Sequence, residues 1–316
     1  MKQQQAFSGK GIFLKGCLHL HSTRSDGAIP PDELMRIYSQ NGYDFITLTD
    51  HDRYNRENFA PDTGLLVVPG MEIGALIEED LKPGVKPDSG FRCYHTVVIG
   101  SDDETNGFAH NDEVPGIHVK QPSDFQPRLD LMHEKKNLTF YCHPEWSSTP
   151  TRYFEELSGN FAMEIYNTGC ALINDMDTDA AYWDEILGQG KHLYGVAVDD
   201  AHNLESCCGG WVMVNSQERT VNGILKALES GAFYSSCGPV IHDFYVENGE
   251  VHLKTEGASA VRFHADRHPT TIRRFAEGEG DGPIEATASV KGWRYVRAVV
   301  VGQNGKLAWT NPIFLT

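Results

Sequence analysis

Six histidines and three acidic residues fall along this 316-residue chain in an order that suits a multinuclear metal site: His19-x-His21, Asp26, His51, Glu72, His95, His143 and Asp200-x-His202. Imidazole nitrogen and carboxylate oxygen together bind Mn, Fe and Zn alike, so the set does not choose among the three. Closed structural zinc sites are Cys-rich, whereas a His/Asp/Glu set suits open hydrolytic sites. Alternate residues of a strand face the same side. His19/His21 and Asp200/His202 can therefore each aim two side chains at one point, as ligands at about 2.0–2.2 Å require. One such pair is commonly incidental; two pairs with the other five residues are not. Paired divalent ions would lower the pKa of a bridging water and polarise the scissile bond. That chemistry needs no nucleophilic Ser or Cys. Ser147, Ser148 and Cys142 lie near His143 but have no nucleophile-elbow motif around them.

These residues must be carried to one place by the elements before them, and most follow an apolar, strand-like run. Residues 12–20, 45–49, 65–68, 94–99, 138–142, 162–166, 193–198, 211–214 and 233–236 read as strands. Residues 31–40, opened by proline, and 123–136, 177–187 and 221–228 read as helices. The alternation predicts a parallel α/β architecture, with ligand residues at the C-terminal ends of strands. The pattern changes after Pro239. Short alternating runs separated by Asn248-Gly249, Asp281-Gly282 and Asn304-Gly305 predict a small β-sandwich over 240–316 after a first domain over 1–239. Asn304-Gly305, between 299–301 and 307–309, is the strongest hairpin signal. Two polar segments, 78–92 and 101–122, interrupt the first domain and read as a lid beside the site or as surface decoration.

The formal net charge of −17 disfavours nucleic acid or an anionic membrane as partner, because each needs a basic face. Bound divalent ions would still draw a small anionic substrate to the site. Hydrophobic residues make up 40% of the chain, enough for a sizeable core. The seven cysteines form no C-x-x-C pair and read as reduced thiols; with no apolar leader and no run of about 18 apolar residues, the expected location is cytoplasmic.

The segment from Cys17 to Gly27, containing His19-Leu20-His21 and Asp26, resembles the first motif of the PHP (polymerase and histidinol phosphatase) superfamily. Thr49-Asp50-His51-Asp52, Cys142-His143-Pro144 and Asp200-Ala201-His202 resemble its other motifs, and Glu72 and His95 fall where it keeps its remaining ligands. The resemblance covers about residues 12–238. The stretches 231–239 and 309–314 are similar to the CehA/McbA-like branch, named after a carbaryl hydrolase. The resemblance implies a distorted seven-stranded (β/α) barrel and two or three divalent ions. One ion would take His19, His21, Glu72 and Asp200; Glu72 would bridge to a second with His95 and His143; a third would take Asp26, His51 and His202. Asp26 stands where some members have histidine, and its harder oxygen would alter that third site. The D-x-H spacing selects Asp200 as ligand and leaves Asp199 a hydrogen-bonding role. The remaining histidines, His110, His118, His133, His192, His242, His252, His264 and His268, belong to no motif; His110 and His118 could touch substrate from the lid.

The implied activity is hydrolysis by a metal-bound hydroxide, with Asp200 and His202 in the reaction. A phosphomonoester or small phosphodiester is the leading substrate. Arg24 and Arg53, each beside a ligand motif, are the candidate phosphate clamps, with Arg24 the stronger. The alternatives are a carbamate, ester or amide hydrolase, and a non-catalytic metal-binding scaffold.

Overall fold

The computed structural model describes residues 4–7, 11–77, 92–101, 103, 107–276 and 278–315. Three sheets carry a mixed α/β fold. The first has the strand order Tyr194–Val198, Ala162–Asn167, Leu138–Tyr141, Arg92–Ile99, Gly70–Ile77, Ile117–Val119. The second runs from Pro269–Arg274 through Ala258–His264, Tyr295–Gly302, Leu307–Thr310, Phe233–Ser236, Trp211–Ser216, Ile12–Cys17 and Phe45–Ile46 to Leu66–Val67. The third joins Gln4–Gln5, Val240–Glu247, Glu250–Glu256 and Ile284–Ser289. Gly16 lets the second sheet pack closely: a β-carbon there would stand 2.1 Å from the Phe45 ring.

The expected parallel pairings occur between Ile12–Cys17, Phe45–Ile46 and Leu66–Val67, and between Leu138–Tyr141, Ala162–Asn167 and Tyr194–Val198. Elsewhere the sheets depart from the parallel expectation. Arg92–Ile99 is antiparallel to both its neighbours, and so is Trp211–Ser216. Gly70–Ile77 and Arg92–Ile99 pair antiparallel along their whole length, from Gly70 against Ile99 to Ile77 against Arg92. The polar segment between them, 78–91, lies outside the described residues.

The four expected helices appear as Pro31–Gln40, Gln126–Glu134, Ala180–Gly188 and Val221–Glu229; the last is capped by the Thr220 side chain on the Gly223 N–H. Two short helices, Thr151–Glu155 and Thr168–Asn174, were not legible as periodic stretches because each is under two and a half turns. Among the described residues no helix is long and apolar enough to cross a membrane.

The C-terminal third packs two sheets around Phe244, Leu253, Val261, Phe263 and Val300. Val240–Glu247 turns into Glu250–Glu256 through Asn248 and Gly249 at φ +52° and +82°, the conformation a two-residue hairpin demands. The Asn304-Gly305 hairpin pairs Val299 with Trp309 and Val301 with Leu307. Leu307–Thr310 also pairs with Phe233–Ser236, so one sheet runs continuously across residue 239. A buried bidentate pair, Arg297 to Asp184 at 2.7 and 2.6 Å, ties the Ala180–Gly188 helix to the same third.

Candidate metal centre

Backbone hydrogen bonds just beyond the strands bring the motifs together. Asp200 N donates to His19 O at 2.9 Å and His21 N to Ala201 O at 3.1 Å, so the two x-spaced pairs lie side by side. Glu72 N donates to Thr49 O and Asp52 N to Glu72 O, which draws His51 beside Glu72. Bridges at Leu20/Ala201 and His51/Glu72, both parallel, join the first two sheets at this point. The ligand-type residues therefore sit at the seam between sheets, where strand pairing stops and side chains of both can converge.

Nε2 of His19 stands 3.1 Å from Nε2 of His21, 3.4 Å from Glu72 Oε2 and 3.2 Å from Asp200 Oδ1. Nε2 of His21 is 3.2 and 3.1 Å from the same two oxygens. The other Glu72 oxygen, Oε1, is 2.9 Å from His95 Nδ1 and 3.4 Å from His143 Nε2. Asp26 Oδ2 is 3.4 Å from His202 Nε2 and 3.5 Å from His51 Nε2. All nine expected residues thus meet in one cluster. His51 reaches further than its expected group: its Nδ1 is 3.0 Å from Glu72 Oε2. His21 likewise has Nδ1 at 3.6 Å from Asp26 Oδ1, so two rings stand between neighbouring groups.

The residues fit divalent cations. Glu72 Oε2 and Asp200 Oδ1 are buried and accept no hydrogen bond, although imidazole nitrogens stand within 3.4 Å of each. Nδ1 of His19 lies 2.6 Å from the buried Glu164 carboxylate. With Nδ1 engaged by Glu164, Nε2 is the ring atom turned toward the two orphaned oxygens. Two buried carboxylate oxygens without a donor call for positive charge. The electrostatics agree. Burial alone would raise the Glu72 and Asp200 carboxyls, yet the surrounding imidazoles, His19 foremost, hold both well below the usual carboxylate range. Burial likewise opposes charge on His21, but Asp200 and Glu72 outweigh it and push the ring up to about 9. His202 and His51 hold Asp26 below its usual range. The acidic groups demand positive charge, which protonated rings supply in the bare protein and bound cations would supply in their place.

A supporting layer surrounds the cluster. Glu164, an acid within an apolar strand, also accepts from His143 N at 2.8 Å and Asn167 Nδ2 at 3.0 Å. Asn167 donates to Asp200 Oδ2 as well, and Ser147 Oγ is 3.1 Å from His143 Nδ1. Asp199 has the hydrogen-bonding role expected of it: it accepts from Tyr38, Thr168 and the N–H groups of Cys208, Gly209 and Gly210. Asp50 fixes the first motif by accepting from Ser22 and Ser25. Asp200 and His143 take left-handed φ of +49° and +26°, strain of the kind found at functional positions. The sequence reading missed Glu164, Asn167 and Trp146. A carboxylate inside an apolar strand was the available signal for the first.

The cluster opens into a cavity of about 290 Å³ lined by Asp26, His51, Glu72, His95, His143, Asp200 and His202, and also by Trp146, Gly169, Cys170, Ile173 and Asn174. Arg24, the expected clamp, does not line it. Its Nη2 donates to Asn111 Oδ1 at 2.7 Å, its Nε is 3.5 Å from Asp50, and its guanidinium lies over the Phe59 ring. Arg53 pairs with Glu113 at 3.1 Å. The described part of 101–122 hydrogen-bonds to residues 52–54 through Asn111, Asp112 and Val114, and the cavity wall takes nothing from it. His110 stands beside Arg24 and Glu57, whereas His118 lines a second cavity, next to His51 and His95.

No family model matches the chain. A search of curated proteins finds the DNA polymerase/3′-5′ exonuclease PolX of Bacillus subtilis, 27% identical over 205 residues, which cover 61% of this chain and 35% of the relative. The chain thus spans about a third of that protein's length. Among solved structures, a two-domain protein from Bacteroides vulgatus, described as containing a predicted PHP-like metal-dependent phosphoesterase, overlaps 97% of this chain and 96% of its own at 17% identity and TM-score 0.48. An amidohydrolase from Chromobacterium violaceum overlaps 60% of this chain and 87% of its own at 13% identity and TM-score 0.38. The motifs that resemble those of the PHP superfamily in sequence are the ones whose side chains converge in this cluster.

Proposed function

We propose that the protein is a metal-dependent hydrolase acting on a small phosphomonoester or phosphodiester. One observation carries the reading: the two oxygens of a single buried carboxylate, Glu72, are shared among five imidazoles, His95 and His143 on one side and His19, His21 and His51 on the other. A carboxylate so surrounded suits a bridge between ions.

His19, His21, Glu72 and Asp200 would hold one ion, Glu72 with His95 and His143 a second, and Asp26, His51 and His202 a third; Mn, Fe and Zn all suit these donors. Bound there, the ions supply hydroxide near neutral pH and neutralise charge on the scissile group. The chain's residues do the rest. Glu164 fixes the His19 ring, and Asn167 orients Asp200. With only the first two ions bound, His202, whose side chain is 36% exposed at the cavity wall, would be free to pass a proton to the leaving oxygen. We read seven strands, Ile12–Cys17, Phe45–Ile46, Gly70–Ile77, Arg92–Ile99, Leu138–Tyr141, Ala162–Asn167 and Tyr194–Val198, as a distorted barrel closed by the Leu20/Ala201 and His51/Glu72 bridges. Residues 1–239 would form the metallohydrolase and 240–316 an all-β domain. The Bacillus subtilis relative is named as an exonuclease, but a net charge of −17 and a cavity of about 290 Å³ favour a small molecule here.

The cavity lining has no Lys or Arg among the described residues, which favours as a second reading a neutral ester or carbamate of the carbaryl type. Turnover of p-nitrophenyl phosphate, p-nitrophenyl acetate and a naphthyl carbamate by Mn-, Fe- and Zn-loaded protein separates the two. The expected result is metal-dependent release from the phosphate, abolished in a folded Asp200→Ala variant. Full activity in that variant would refute the site; release from the acetate or carbamate alone would select the second reading.

A further inference from the structure

Large apolar side chains are scarce on the surface of the described residues, yet two of them stand in the wall of the metal cavity. Trp146 is 39% exposed and Ile173 63% exposed. Trp146 sits in the turn that follows His143, a turn held by Ser147 N on His143 O at 3.0 Å and Ser148 N on Glu145 O at 2.9 Å. Its ring meets His143 edge-on at 4.9 Å and lies 5.8 Å from His95. An exposed indole is thereby fixed against two ligand rings. Ile173 comes from the Thr168–Asn174 helix, whose start is capped by Asn167, the residue that also holds Asp200. The two apolar groups are thus positioned by the same contacts that position the metal residues.

The charge on this wall matters as much as its shape. Cys170 is buried and its thiol is pushed up, so it stays neutral. Asn174 is the remaining polar side chain, and no Lys or Arg faces the cavity among the described residues. Every ionised acid lining the cavity belongs to the metal cluster. A substrate with a second negative charge away from its scissile group would find no counter-ion there, and would face the Asp26 carboxylate.

We propose that Trp146 and Ile173 form a subsite for an uncharged, flat, apolar group attached to the scissile ester, so that the substrate class is an aryl or similarly apolar ester with all its charge at the metals. The proposal rests on the hydrolase reading above. A ring lying on the indole removes apolar surface of both from water and gains from aromatic contact.

Calorimetric binding of phosphonates to the Mn-loaded protein tests this without relying on turnover. Phenylphosphonate is expected to bind about tenfold or more tighter than methylphosphonate, and 4-carboxyphenylphosphonate is expected to lose that gain. Trp146→Ala should erase the difference between phenyl and methyl. Ile173→Ser, at a more exposed position, should erase the difference and leave methylphosphonate unchanged, which keeps the test open if the tryptophan variant folds poorly. Equal affinity for phenyl and methyl in the wild type overturns the subsite while the hydrolase reading stands. So does a phenyl advantage that survives both substitutions, or a change confined to self-association. Failure of both phosphonates to bind, with no turnover of any ester, overturns the hydrolase reading and the subsite with it.

Discussion

Nδ1 of His19 lies 2.6 Å from Oε1 of Glu164, and both side chains are fully buried. Glu164 thereby fixes the ring of a candidate ligand and, through His143 N, the backbone of another. Glu164→Gln keeps the size of the side chain but removes its charge. It is expected to lower metal affinity about 10–100-fold, measured by competition with a chelating indicator, with unchanged far-ultraviolet circular dichroism. Wild-type affinity would reduce Glu164 to a packing role.

Arg24 gives a second test, because its guanidinium is engaged by Asn111 and Asp50 and lies over Phe59, outside the cavity wall. Arg24→Ala is expected to change KM for p-nitrophenyl phosphate by less than about threefold, while lowering stability by about 1–2 kcal/mol through lost packing and a loosened first motif. Steady-state kinetics and urea unfolding read the two effects separately. A KM raised tenfold or more would return the guanidinium to the substrate.

Asp179 sets a pH dependence away from the ligands. Burial pushes its carboxyl up to about 8 from an ordinary 3.8, despite the hydrogen bond it accepts from Glu145 N. The folded state therefore holds a proton that the unfolded chain releases once the pH passes about 4. Stability from this group is complete below that pH and is lost as the pH rises toward 8. Asp179→Asn removes the loss, so its stability advantage should grow from nothing at pH 4 to roughly 1–3 kcal/mol at pH 8. Urea midpoints across that range check the sign; an advantage that shrinks with rising pH would be the wrong one.

The buried Arg297–Asp184 pair ties the C-terminal sheets to the Ala180–Gly188 helix. The guanidinium also lies over Trp183, and His264, beside it, is pushed down to about 3 by burial and by the Arg297 charge. Asp184→Leu alone should cost about 3–5 kcal/mol because it strands a buried charge, whereas the double change with Arg297→Met should recover most of that. Equal losses in the single and double variants would show that packing volume, not charge, holds the junction.

Ligand types and spacing were readable along the chain because a metal site needs particular atoms, and strand alternation aims x-spaced residues together. His19/His21 and Asp200/His202 are such pairs. The helices with a full apolar stripe were equally legible, and so were the Asn-Gly hairpins, whose residues fit their φ. Glu164 escaped because its partner, His19, is 145 residues away. The orientation of Arg92–Ile99 escaped because apolar runs do not encode strand direction. Trp146 and Ile173 escaped because an exposed apolar residue has no signature until its neighbours are known.

The sequence by itself determined the chemistry available: nine metal-type ligands in order, an acidic surface and a switch from α/β to β patterning, all properties of residue type and local period. Only the tertiary structure decided that Glu72 is shared among five imidazoles, that Arg24 is spent on Asn111 and Asp50, and that an indole packs against His143 and His95 at the cavity. Those outcomes depend on contacts between segments far apart in the chain, settled by how two sheets meet at one seam.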